Sequence, residues 1–236
     1  MNDDCSAEGG TIMKKYIFFI FFIFCSSQFA YSAQPYLEGQ LGVGMVEDVS
    51  GSTIVRTGGF NIAVGVDDLS YDSGLLFGGE FGFKNIGQNS NLRMGLGIST
   101  FEAEFEDGTI TAGTTFNGVA VSVSTAFTAA DAAAVGVTLD NDVTLFGLNT
   151  YLDIPITNSG FTPYIGLGLG FADIENAEDN EFAASFLFGG NYKITDNAYI
   201  GAKGAYHNIF GPTDEVGIEY DDINVWTFNI ALGIEF

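Results

Sequence analysis

The last eleven residues of the chain, Trp226 to Phe236, alternate strictly between apolar positions and small or polar positions. Successive side chains of a strand point to opposite faces of a sheet, so this segment predicts a β-strand with one apolar face. The other face suits water or a tightly packed interior, and the apolar face suits lipid. The apolar positions are Trp226, Phe228, Ile230, Leu232, Ile234 and Phe236.

The same alternation recurs along the chain between turn-forming residues and predicts eight strands. Each predicted strand is close to the 9–11 residues that a tilted strand needs to cross a bilayer. An all-β fold, an eight-stranded antiparallel up-and-down transmembrane β-barrel, is therefore expected over residues 34–236. The predicted strands are residues 36–45, 75–84, 92–101, 143–154, 162–172, 182–194, 198–208 and 225–236.

The connections between these strands alternate in length. Long segments at 46–74, 106–142 and 209–224, with an intermediate one at 173–180, would lie outside the cell. Short segments at 85–91, 155–160 and 195–197 would face the periplasm. This sorting is typical of outer-membrane barrels. The second long segment is rich in Thr, Ala and Val, and we expect it to continue the third and fourth strands, with a helical turn at 129–135.

The predicted lipid-facing side chains carry no charge, as a membrane surface requires. A soluble barrel of the lipocalin type would also present apolar strand faces, but it leaves the polar faces unexplained. The lipid-facing set is Leu37, Leu41, Val43, Phe77, Phe81, Phe83, Met94, Leu96, Ile98, Phe146, Leu148, Leu152, Ile165, Leu167, Leu169, Phe186, Phe188 and Ile200, with Tyr192, Trp226 and Phe236 in the interfacial girdles.

An export signal precedes the barrel. Residues 13–33 combine two lysines, an apolar run too short to span a bilayer as a helix, and small residues suited to cleavage. Residues 1–12 carry three acids ahead of it, so we expect a mis-annotated upstream extension and a true start at Met13. Cys5 and Cys25 both precede the cleavage site, which predicts a mature chain without disulfides.

Charged residues at inward strand positions predict a polar lumen. The candidate charge network and gate residues are Glu38, Glu80, Lys84, Arg93, Asp153, Lys193, Lys203 and Glu235, four of each sign. An eight-stranded barrel is narrow enough for side chains to fill, and buried charges are costly unless paired. All of these except Glu80 and Lys203 lie near the periplasmic strand ends, where we expect a paired ring that closes the lower half. The alternative is that several are rim residues in periplasmic water.

Uncharged polar residues and glycines complete the predicted lining. The inward glycines would either accept neighbouring tyrosine rings or leave a cavity. The polar residues are Gln40, Asn149, Tyr151, Tyr164, Asn191, Tyr199, His207 and Asn229, and the glycines are Gly42, Gly44, Gly95, Gly97, Gly166, Gly168 and Gly170.

The external segments are strongly acidic. After residue 33 the chain has 27 acids and five bases, a net charge of −22, and the four external segments account for −18. Such a surface repels nucleic acid and other polyanions. It would favour basic partners or loosely held divalent cations, or it would only aid solubility. No calcium-loop motif is present, so we expect no metal site and no cofactor.

The residues for enzymatic chemistry are sparse. His207 is the only histidine, and no serine lies beside it in the sequence. A hydrolase needs a base next to its nucleophile, and zinc sites need several His or Cys ligands. We therefore expect no enzyme and no catalytic residue.

Several segments resemble the opacity-protein and OmpA/OmpX-like family of outer-membrane β-barrels, surface antigens among them. Residues 148–153 (LNTYLD) and 162–172 (TPYIGLGLGFA) resemble its central hairpin, and 192–201 (YKITDNAYIG) resembles its tight sixth-to-seventh strand turn. The terminal FNIALGIEF resembles its assembly signal, to which we assign Trp226 and the apolar residues that alternate after it through Phe236. The peptidoglycan-binding domain of full OmpA-type proteins is expected to be absent.

The resemblance implies localisation in the outer membrane of a Gram-negative bacterium. The implied partners are outer-membrane lipid and lipopolysaccharide, the barrel-assembly machinery, periplasmic chaperones, and host or environmental surface ligands. The implied roles are surface antigen, adhesin or envelope stabiliser. The alternatives are a narrow channel for ions or small solutes, gated by Glu38, Glu80, Arg93 and Lys203, or a lipid-modifying enzyme.

Overall fold

The computed structural model describes residues 33–57, 60–86, 91–116, 119–134, 139–175, 177, 179–213 and 217–236. The upstream extension and the signal peptide up to residue 32 lie outside the described residues. The elements are β1 (Gln34–Val46), β2 (Val49–Thr57), β3 (Phe60–Asp72), β4 (Gly74–Lys84), β5 (Leu92–Phe116), β6 (Val119–Thr128), α1 (Ala129–Ala134), β7 (Asn141–Asp153), β8 (Phe161–Ile174), β9 (Glu181–Lys193), β10 (Ala198–Ile209), β11 (Glu219–Tyr220) and β12 (Ile223–Glu235).

Eight strands close into an antiparallel ring, the barrel, and confirm the predicted fold class. The ring runs β1, β4, β5, β7, β8, β9, β10, β12 and back to β1. The closing pair extends from Tyr36 opposite Glu235 to Val46 opposite Val225. Closure pairs every strand edge of the ring, as a sheet that crosses lipid requires.

The outer face of the barrel is apolar, because the alternation places large hydrophobic side chains outside. The exposed fraction is 67% for Leu167 and 63% for Ile230, whereas the intervening lumen-facing Tyr164 and Ala231 are buried. Among the described residues, no helix is long and apolar enough to cross a membrane.

The two ends of the barrel differ. At the lower end, short connections join the strands at Lys84, Asp153 and Lys193. At the upper end, β5 continues beyond the ring. Its residues up to Ala103 pair with β7, and its residues from Glu104 onward pair with β3.

A second sheet stands above the barrel, in the order β11, β2, β3, upper β5, β6. We call it the outer sheet. Residues 46–74 were expected to be a long loop, but they form the β2–β3 hairpin, because their Val, Ile and Thr residues find a partner in β5. The third predicted strand does continue upward, β6 returns beside it, and α1 matches the helical turn expected at 129–135.

The outer sheet has its own small core near the mouth of the barrel. Val49, Val66, Leu69 and Phe105 are buried there, with Phe127, Leu139 and Ile218 among the hydrophobic side chains packed around them. Phe105 stacks on Phe127 with ring centroids 5.2 Å apart. The outer sheet is therefore a packed structure on the barrel mouth.

Candidate functional site

The lumen holds three layers, from the lower end upward: a network of charges and tyrosines, a small polar cavity, and an apolar layer. Each is built from side chains at alternate strand positions that point inward.

The centre of the lower network is the buried carboxylate of Glu80. It accepts hydrogen bonds from the hydroxyls of Tyr36 and Tyr151, both at 2.5 Å. Asn149 Nδ2 donates at 2.8 Å and Lys203 Nζ at 3.0 Å. A carboxylate has about four acceptor positions, so this carboxylate is fully satisfied.

Lys203 is held on two sides. Its ammonium group lies between the Glu80 carboxylate and the Tyr151 hydroxyl, to which it donates at 2.8 Å. Strand β10 carries it across the lumen from β4, which carries Glu80. The ion pair therefore bridges opposite walls of the barrel.

Arg93 fills the space below Glu80. Its Nη2 lies 3.3 Å from Asp153 Oδ1, and its guanidinium stacks over the rings of Tyr151 (4.0 Å to the centroid) and Tyr164 (4.6 Å). Arginine suits such a site because its planar guanidinium stacks on aromatic faces while it pairs with a carboxylate.

The remaining candidate charges lie in different surroundings. Glu38 is buried and accepts from Gln40 Nε2 and the Tyr199 hydroxyl, both at 2.8 Å. It lies directly opposite Glu80 in the β1–β4 register, and the two carboxylates have separate donors.

Two lysines mark the lower rim. Lys84 forms an ion pair with Glu235 of the last strand. Lys193 is exposed, and its ammonium takes part in none of the ion pairs found among the described residues. Six of the eight candidate residues thus form three separate ion pairs, whereas Glu38 accepts hydrogen bonds from Gln40 and Tyr199 and Lys193 takes part in none of those pairs.

Some inward glycines make room for tyrosine side chains, and others line a cavity, so both of the expected roles occur. A Cβ on Gly95 would come within 2.5 Å of the Tyr36 hydroxyl and 2.7 Å of Glu80 Oε1. A Cβ on Gly166 would lie 2.7 Å from the Tyr151 ring. Gly97 and Gly170 instead line the cavity.

The cavity above the network has a volume of about 50 Å³. Its polar lining includes Asn149, Lys203 and His207, and Leu145 and Ala183 border it as well. Asn229 Oδ1, also in the lining, is buried without a hydrogen-bond partner among the described residues. A polar cavity of this size suits a few water molecules.

His207 has a neighbour that the sequence did not indicate. Ser185 Oγ lies 2.7 Å from His207 Nδ1, because β9 and β10 place the two residues opposite each other. The other ring nitrogen lies 3.3 Å from Thr227 Oγ1. If Ser185 were the nucleophile of a hydrolase triad, the Thr227 hydroxyl would occupy the position where such triads usually have a carboxylate that orients the imidazole.

The apolar layer closes the upper half of the lumen and was not among the lining residues expected from the sequence. Each member lies an even number of positions from an inward polar residue on the same strand, so its side chain also points into the lumen. This spacing is the sequence signal that would have identified these residues. They are Leu76, Phe101, Ala103, Val143, Leu145, Ala172, Ala183, Ile209 and Val225.

Among the described residues, no cluster of His, Cys, Asp or Glu has the arrangement of a metal site. Acidic side chains among the described residues of the outer sheet and its connections include Asp67, Asp107, Asp131 and Asp140. Several take local hydrogen bonds, as Asp131 does at the start of α1 from the Thr128 amide at 3.0 Å.

The fold of this chain is similar to that of solved outer-membrane proteins. The crystal structure of Neisserial surface protein A (NspA) aligns with a TM-score of 0.51 at 12% identity, over 87% of this chain and all of that chain. OprG of Pseudomonas aeruginosa aligns with a TM-score of 0.41 at 15% identity, over 87% of this chain and 97% of that chain. The N-terminal β-barrel domain of OprF of the same organism aligns with a TM-score of 0.36 at 14% identity, over 87% of this chain and all of that chain. No curated protein matches the sequence.

The family comparison covers more than half of the chain. The model described as "Outer membrane protein beta-barrel domain" matches residues 88–236. That range contains six of the eight barrel strands, β5, β7, β8, β9, β10 and β12, so the match rests on the C-terminal part of the ring. The chain belongs to the family of outer-membrane β-barrel proteins and lies in the outer membrane of a Gram-negative bacterium.

Proposed function

We propose that this protein is a non-enzymatic, non-conducting barrel that presents the outer sheet at the cell surface, as an antigen or adhesin does. The observation that supports this most is the double closure of the lumen beneath an ordered outer sheet. Glu80 and Lys203 join opposite walls below, and the apolar layer fills the barrel above. The packed outer sheet is the part that is available for recognition.

The proposed partners follow from the same surfaces. The apolar belt contacts outer-membrane lipid and lipopolysaccharide, and the terminal apolar residues Trp226 to Phe236 engage the barrel-assembly machinery after periplasmic chaperones deliver the chain. Surface ligands from a host or the environment would meet the outer sheet, because recognition concentrates on exposed external segments.

Electrical recording in planar bilayers tests the closure. We expect no steady conductance from the refolded protein, because a solute would need to displace both the ion pairs and the apolar layer. The double variant Glu80→Ala/Lys203→Ala should also show no steady conductance, because the apolar layer still fills the upper lumen. A large, steady conductance of the wild-type protein would contradict the proposal and favour the narrow channel.

Protease shaving of intact cells tests whether the outer sheet is exposed at the cell surface. We expect cleavage within residues 46–74 or 106–142 and protection of the barrel strands. An enzymatic role is tested separately with His207→Ala, which removes the partner of Ser185. Loss of a lipid-modifying activity in that variant would refute the non-enzymatic assignment.

A further inference from the structure

We propose that β6 is a docking edge for the β6 strand of a second copy of this chain, carried by an opposing outer membrane. The inference rests on the proposed surface role and names its partner. The two copies would join their outer sheets through antiparallel strand pairing and so link two cells.

The first observation is a free strand edge. β6 pairs with β5 over its whole length, from Asp107 opposite Thr128 to Phe116 opposite Val119. No other strand of the described residues pairs with it. The side chains of residues 120–126 are exposed on both faces of the strand. One row of backbone amides and carbonyls is therefore available for a new strand.

The second observation is that the β6 edge lacks the features that usually prevent an exposed strand from pairing with another chain. Native sheets usually guard an exposed edge with charged residues, proline or a β-bulge. Residues 119–130 (VAVSVSTAFTAA) contain no charged residue and no proline, and the β5–β6 register runs without a shift. In a chain of this acidity, such an unguarded edge favours strand addition.

The distribution of charge selects the partner. The upper part of the outer sheet, residues 53–66 and 108–126, has no acid and a single base, Arg56. The acids lie nearer the barrel, as Asp67, Asp107 and Glu104 do. A basic peptide would find no countercharge at this edge. A second copy would meet it without like-charge repulsion.

The face of the sheet supports the same partner. In the β2–β3–β5–β6 register, Val55, Ile62, Thr114 and Val121 share one face, and Val64 and Val123 lie on that same face. Val121 and Val123 are 53% and 67% exposed. A two-fold axis perpendicular to the sheet keeps the apolar faces of both copies on the same side, so pairing would give one continuous apolar surface.

Symmetry places the second copy in another membrane. Two barrels in one membrane are related by an axis along the membrane normal, which leaves their β6 strands running in the same direction. β5 continues out of the barrel, and β6 runs antiparallel beside it. Antiparallel pairing of two β6 strands therefore sets the barrels head to head.

Mixed-cell aggregation tests this contact. Two populations of a Gram-negative host with short lipopolysaccharide express the full chain with different fluorescent markers, and flow cytometry counts two-colour clusters. We expect clusters only when both populations carry the protein. Val123→Lys should reduce them about tenfold, because a charge on each copy would face the other across the new strand pair.

The matched control is Val55→Lys, which changes the same face on a strand away from the free edge and should keep aggregation. Heat-modifiable gel migration checks that both variants fold. If Val123→Lys fails to fold, Val123→Cys in an otherwise wild-type chain should give disulfide dimers between cells with different tags, because the same register places the two cysteines opposite each other. Thr115→Cys, one strand further in, should not.

Four results would overturn the proposal. They are no clustering of wild-type cells, equal clustering with cells that lack the protein, equal loss in Val55→Lys, or equal crosslinking at Thr115→Cys. Conductance and protease shaving remain independent readouts, so a failed contact would leave the surface barrel itself intact.

Discussion

At the scale of single residues, the Glu80 carboxylate determines how the lower lumen is packed. It is buried and accepts hydrogen bonds from four donors, one on the neighbouring strand β1, two on β7 and one on β10. Removing one partner of such a pair leaves an uncompensated buried charge, which costs far more than the intact pair contributes.

Lys203→Met should lower the free energy of unfolding by about 3–5 kcal/mol, because it leaves Glu80 charged and buried without its cation. Urea unfolding in lipid vesicles measures this. Adding Glu80→Gln to Lys203→Met should restore part of the loss. The control Lys193→Met alters an exposed lysine and should stay within about 0.5 kcal/mol of wild type. Equal losses in both single variants would contradict this account of the network.

Gly95 leaves the space that the Tyr36 hydroxyl and the Glu80 carboxylate occupy in the lower lumen. Gly95→Ala should destabilise the barrel by about 1–3 kcal/mol, because its Cβ would displace the Tyr36 hydroxyl and the Glu80 carboxylate. Gly39→Ala is the control, since a Cβ there meets nothing within 4 Å. Urea unfolding should separate the two variants. An equal effect would mean that strand propensity, rather than the lumen contact, governs Gly95.

At the scale of elements, β12 joins a lipid face to a lumen face. Its outward residues are exposed to the membrane, and its inward Glu235 pairs with Lys84. The strand also closes the ring, because it pairs with β1 on one edge and with β10 on the other.

Ile230→Arg should cost about 2–4 kcal/mol, the penalty for arginine near the midplane of the lipid face. Thr115→Arg on the exposed outer sheet should cost little, because water solvates the new charge there. Urea unfolding of both refolded variants compares them. A similar loss in the two would indicate that Ile230 does not face lipid.

Strand β5 belongs to both sheets. Below Glu104 it is a barrel strand, and above Ala103 it is the centre of the outer sheet, with β3 on one edge and β6 on the other. The lower part can pair with β4 and β7 regardless of what the upper part does.

In the whole molecule, the barrel and the outer sheet have two adjoining buried clusters, and Val46, Tyr71 and Ile223 pack against both. The apolar layer contains Leu76 and Phe101, and the outer-sheet core contains Val66 and Phe105. Because the two clusters share no fully buried residue, we expect changes in the outer sheet to leave the barrel folded.

Replacing residues 109–126 with a Gly-Gly turn should leave the barrel folded, because all β5–β7 pairs lie below that segment. Heat-modifiable migration should be retained, and urea unfolding should change much less than in Lys203→Met. Loss of the folded barrel would show that the outer sheet is required for closure.

The barrel scaffold follows from the amino-acid sequence alone. Period-two alternation from Trp226 to Phe236, repeated through the chain, was sufficient to predict eight strands and their outward residues, because lipid accepts only apolar side chains and fully paired backbone. The same alternation predicted that Glu80, Lys203 and Arg93 point into the lumen, because every second side chain of a strand points to the same face.

Which inward residues contact each other depends on how the strands are arranged in the folded barrel. Glu80 and Lys203 are 123 positions apart in the chain, and Ser185 and His207 are brought together by the β9–β10 register. The outer sheet was missed for the same reason: β2 and β3 have a partner only because β5 leaves the barrel. Alternation fixes the face of each side chain locally, whereas contacts across the lumen and pairing above it depend on ring closure and on the register between distant strands.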